Sequence, residues 1–140
     1  MSNLDHRMST PRIWPFRFAF VLWIGVIFWF SSQPDLKSAL ETWQDVLLRK
    51  IAHLAEYFVL AYFYLRSLRH TQPASPAATI GTLAVALAVA ASDELYQTTV
   101  HGRSGKPTDV LIDVLGGAAM LCLRWVVSKR KTAYTGTSPR

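Results

Sequence analysis

The chain has 140 residues, enough for one domain, and its 51% hydrophobic and 17% charged content excludes a disordered or collagen-like polypeptide. A single cysteine, Cys122, excludes an intramolecular disulfide framework and any multi-cysteine metal site. The formal net charge of +6 suits nucleic acid or anionic lipid, and where the charges fall decides between them.

Four segments read as membrane spans, since a hydrocarbon core of about 30 Å needs roughly 20 mostly apolar residues in helical form. The first covers Ile13 to Ser32, with an unbroken apolar run from Phe18 to Phe30. Arg7, Arg12 and Arg17 precede it, as in a signal peptide, but the exit Phe30-Ser31-Ser32-Gln33-Pro34 lacks a small-x-small cleavage site, which favours a retained span. Next, Leu36, Leu40, Trp43, Val46 and Leu47 repeat at helical spacing between charged residues, which predicts a short amphipathic surface helix from Pro34 to Lys50.

The second span is expected from Ile51 to Leu68, and the third from Ala77 to Leu95 after a Pro73 and Pro76 turn. A loop from Val100 to Pro107 leads to the fourth span, Val110 to Val127, with Thr108 as candidate N-cap and Asp109 in the first turn. The fold class is therefore all-α: a bundle of four transmembrane helices over residues 13–127. A cytoplasmic tail of residues 1–12 precedes it, and a basic cytoplasmic tail of residues 128–140 follows. A charge at a helix centre costs about 2.5–3.5 kcal/mol on insertion, and the charged residues here sit towards the helix ends. A soluble bundle is the competing reading, but its helices would carry a polar stripe along their whole length, and these do not.

Charge placement gives the orientation. Arg7, Arg12, Arg17, Arg66, Arg69, Arg124, Lys129, Arg130, Lys131 and Arg140 share one side, ten of the fifteen basic residues. That bias places both termini in the cytoplasm of a multi-pass protein. Of the acidic residues only Asp5 joins them. The basic character is thus a topology signal, and the expected partner is the lipid bilayer rather than nucleic acid.

Because spans alternate in direction, the polar residues gather at one end. Lys50, His53 and Glu56 lie on one helical stripe, Asp93 and Gln97 on another, and Asp109 and Asp113 on a third. Gly116 and Gly117 below the last stripe admit a neighbouring helix closely. Intramembrane ionisable groups are functional candidates by default. His53, Glu56, Asp93 and Asp113 are the candidate catalytic residues; Lys50, Gln97, Arg103 and Asp109 are the candidate substrate-binding residues. The alternative is that the cluster only holds the helices together. Asp93 is expected to face inward and pair with His53 and Arg103, and Glu94 to lie nearer the wet rim. No cofactor can be named and no metal ligand set is assigned, with a hard divalent cation among Glu56, Asp93, Glu94 and Asp113 left as an alternative. Gly102-Arg103-Ser104-Gly105-Lys106 lacks the spacing of a Walker phosphate loop.

The ordered set Phe30-Ser31-Ser32-Gln33-Pro34, Lys50-x-x-His53-x-x-Glu56-Tyr57, Asp93-Glu94-Leu95-Tyr96-Gln97, Gly102-Arg103 and Asp109-x-x-x-Asp113-x-x-Gly116 resembles the bacterial VanZ-like family. The match departs at His101, where a proline is expected before the Gly-Arg pair. The resemblance implies a small multi-span protein of the plasma (inner) membrane, in a family whose namesake is linked to resistance to the glycopeptide teicoplanin.

Three function classes stay open. The first is a site that binds or processes an anionic, lipid-linked envelope precursor, with Arg103, Lys106 and Lys50 on the anion and His53 moving protons. The second is a lipid or small-molecule transporter, which at this size implies a homodimer. The third is a structural or accessory subunit.

Overall fold

The computed structural model describes residues 12–33, 42–68 and 75–135 and is all-helical over them, apart from short connections. Helix α1 runs Trp14–Ser31, α2 Thr42–Ser67, α3 Pro76–Gln97 and α4 Pro107–Thr135. Proline opens α1, α3 and α4, where its missing N–H is an orphan of the first turn in any case. Three of the helices, α1, α3 and α4, are long and apolar enough to cross a membrane. At 18 residues, α1 is about 27 Å long, close to the hydrocarbon thickness.

The expected boundaries shift at two places. Residues 42–50 are not a separate surface helix but the first turns of α2, continuous with the second expected span; the remainder of that connection lies outside the described residues. α4 continues to Thr135, past the expected end at Val127, because nothing between Ser128 and Thr135 breaks a helix. It also opens two residues earlier than an N-cap at Thr108 implies, with Pro107 in the first turn and Thr108 inside the helix.

α2 is the central helix, packed along α4, α1 and α3. Its inward side supplies Tyr57, Leu60, Ala61 and Leu65, and Tyr57 and Leu60 join Ile27, Ala86 and Ala90 in the core. Phe20, Trp23, Ile24, Val89 and Val110 close around that core. The outward faces remain apolar: Phe18, Val21, Ile80 and Leu111 are each more than 60% exposed. In water such faces would demand a partner, whereas lipid tails solvate them.

Close approach between helices rests on small residues. A Cβ at Gly116 would run into the backbone of Leu54, so α4 meets the main chain of α2 directly there. At Gly117 the neighbours are the methyl groups of Ala86 and Ala61. At the far end, Arg66 stacks over the Phe16 ring 4.6 Å from its centroid, and Arg17 Nε donates to the Ser67 carbonyl at 3.4 Å.

Candidate functional site

The polar ends of the four helices meet. Two parallel rungs join α2 to α4: Lys50 Nζ lies 3.2 Å from Asp109 Oδ1, and His53 Nδ1 lies 3.0 Å from Asp113 Oδ1. Lys50 and His53 are three residues apart, Asp109 and Asp113 four, so one helical turn on each side repeats the pairing. The rungs differ in burial. The Lys50 and Asp109 side chains are 41% and 26% exposed, whereas Asp113 is at 0%.

α3 contributes the other wall. Asp93 is fully buried, and its Oδ2 accepts from Gln97 Nε2 at 2.9 Å. The same amide reaches Glu94 Oε1 and Ser31 Oγ, each at 3.4 Å, which brings the buried end of α1 into the cluster. Glu56 on α2 lies close enough to His53, Asp93, Asp113 and Arg103 to feel their charges. Its main-chain carbonyl accepts from Trp23 Nε1 at 2.9 Å, which ties α1 to α2.

The loop between α3 and α4 folds back over this end. Gly102 takes a positive φ of 81°, and Gly105 packs against the carbonyl of Glu94 so tightly that no Cβ would fit. The Lys106 backbone N–H then donates to Glu94 Oε2 at 2.6 Å. A pocket of about 270 Å³ opens beneath the loop, with Lys50, His53, Gln97, Arg103, Lys106 and Asp109 in its wall.

All eight candidate residues therefore share one end of the bundle, but their pairings differ from expectation. His53 pairs with Asp113 instead of Asp93, and Asp93 is held by Gln97 on its own helix. The tight α2–α4 contact at Gly116 brings His53 and Asp113 together. Arg103 makes no bond to Asp93; its Nε is buried without a hydrogen-bond partner among the described residues. Glu94 is not at the rim but 6% exposed, because the loop covers it. Gly102 and Gly105 were the available signal for that fold-back. Tyr57 is a further member of the cluster, fully buried beneath it, with a hydroxyl that has no partner among the described residues.

Chemically, the site combines a pocket lined by Lys50, Arg103 and Lys106 with buried carboxylates near the one imidazole. Such an arrangement can hold an anionic group and move a proton, or hold a cation. One atom each from His53, Glu94 and Asp113, on three different helices, lies within 4.8 Å of the other two. No curated protein and no solved structure matches this chain. The VanZ/LLP1 family matches it over residues 2–128, and the chain belongs to that family.

Proposed function

We propose that this VanZ-type membrane protein spans the bacterial plasma membrane four times, with both termini cytoplasmic, and binds and processes the anionic head group of an envelope lipid or lipid-linked precursor at its outer end. In this reading α2, the second helix in chain order, crosses the membrane together with α1, α3 and α4. Its charged first turns sit at the interface, and its middle, from Val59 to Leu65, carries no charge. The observation that carries the reading is the pocket whose wall combines Lys50, Arg103 and Lys106 with His53. A carboxylate-paired imidazole beside basic side chains suits general acid–base work on a held anion.

The test is a lipid and peptidoglycan-precursor comparison between a deletion strain and a His53→Ala strain, with glycopeptide susceptibility measured alongside. The expected result is accumulation of one anionic head-group class in both strains. A deletion phenotype that His53→Ala, present at wild-type levels, does not share would overturn the reading in favour of an accessory subunit. Transport would instead show as a change of leaflet with no change of head group.

A further inference from the structure

We propose that His53, Glu94 and Asp113 form a binding site for one divalent transition-metal cation, Zn²⁺ or Mn²⁺, buried beside the pocket that His53 lines. This rests on the head-group reading for the anion beside it; with the cation bound, His53 and Asp113 would serve as its ligands and the imidazole would not carry the proton. The donor set is one imidazole nitrogen and two carboxylates, drawn from α2, α3 and α4. Mixed nitrogen and oxygen donors suit zinc, manganese and their neighbours better than calcium or magnesium, which favour oxygen alone.

Spacing agrees with this. Ligands about 2.1 Å from a metal stand about 3–4 Å from one another. The 3.0 Å between His53 Nδ1 and Asp113 Oδ1 matches two adjacent ligands as well as it matches a hydrogen bond. The third ligand atom lies within 4.8 Å of the other two, so closing the set around an ion requires a shift of up to about 1 Å.

A second, independent observation points to a ligand. Asp113 is fully buried, and while its Oδ1 faces His53, its Oδ2 has no hydrogen-bond partner among the described residues. Asp93, also at 0% exposure, leaves Oδ1 equally open beside the triplet. Buried carboxylate oxygens seldom lack partners, and a cation is the group that satisfies several of them together. Glu94 is already oriented by the Lys106 backbone N–H on its other oxygen, as ligating carboxylates commonly are.

The test uses full-length protein purified in detergent on a histidine-free tag, stripped with a chelator and reloaded with Zn²⁺ or Mn²⁺ alone. Elemental analysis after desalting should find one ion per chain. Asp113→Asn and Glu94→Gln should each weaken binding by at least about tenfold. His101→Ala and Cys122→Ser, which remove exposed donors elsewhere, should leave it unchanged. If a ligand variant does not fold, X-ray absorption of the zinc-loaded wild type decides: one imidazole with oxygen neighbours supports the site. A sulfur neighbour, no stoichiometric ion, or full retention in folded Asp113→Asn overturns it. No head group is present in these measurements, so a failed cation site leaves the anion reading standing, and a negative His53→Ala strain comparison leaves the cation site standing.

Discussion

Replacing Gly116 by alanine adds one methyl group and touches no polar atom, yet the structure predicts that it dismantles the His53–Asp113 rung. The new Cβ would penetrate the Leu54 carbonyl oxygen and stand 3.1 Å from its carbon and 3.2 Å from the Phe58 nitrogen. All three are main-chain atoms of α2 and cannot rotate aside. Restoring an ordinary carbon–oxygen contact of about 3.3 Å requires α2 and α4 to separate by roughly 1 Å. The same displacement one turn away would carry His53 and Asp113 from 3.0 Å to beyond hydrogen-bond range.

Overpacking costs about 1–3 kcal/mol and a lost hydrogen bond to a charged group about 1.5–3, offset by up to about 1 from alanine's better helix propensity. With that offset the expected net loss is about 1.5–5 kcal/mol. Gly117→Ala is the internal control. Its Cβ would meet the Ala86 methyl at 3.3 Å, a contact that a slight shift relieves, so its effect should stay within about 1 kcal/mol. Equilibrium unfolding in mixed micelles, followed by helical circular dichroism, measures both. Equal stabilities for the two variants would refute the claim that main-chain contact at Gly116 sets the α2–α4 register.

Three further outcomes are expected. Gln97→Leu removes the amide shared by Asp93, Glu94 and Ser31, and should lower stability in the same assay by about 1–3 kcal/mol or more, because two buried carboxylates lose a donor. Trp23→Phe keeps an aromatic ring near Phe63 but loses the donation to the Glu56 carbonyl, and should cost about 1 kcal/mol in the same assay. Topology reporters fused after Gln33 and after Lys106 should read external and one after Pro73 internal; a cytoplasmic reading at Lys106 contradicts the orientation.

The convergence of the site was legible because it needs only two regularities, alternation of helix direction and the helical period. Lys50 with His53, and Asp109 with Asp113, are aligned along their own helices whatever those helices touch. The pairing across helices was not legible, because it depends on how α4 sits against α2. That register comes from one glycine meeting one carbonyl, a contact with no periodic signature. The Glu94 expectation failed for a related reason. A helical wheel places it about 100° from Asp93 and so on a different face, but a wheel does not include the loop that returns over that face. The extension of α4 was missed because basic and small polar residues suggested a tail, although residues such as Lys129, Arg130, Lys131 and Ala133 form helix readily.

The distribution of satisfied and unsatisfied atoms separates a site from interhelical cohesion. At the edge the bonds are closed, Lys50 meeting Asp109 and the Lys106 main chain meeting Glu94, and in the interior Gln97 ties Asp93 to Ser31 and His53 meets Asp113. Among the described residues the open buried atoms are Asp93 Oδ1, Asp113 Oδ2, the Tyr57 hydroxyl and Arg103 Nε, contributed by α2, α3, α4 and the loop. Tyr57 feels the charges of Asp113, Asp93, Glu56 and Glu94, so the open oxygens share one neighbourhood. A cluster that served only to hold helices together would gain most by closing its interior bonds, where the dielectric is lowest and each bond is strongest. Here the perimeter is closed and part of the interior stays open among the described residues. Those open atoms favour the proposed ligand site over cohesion alone.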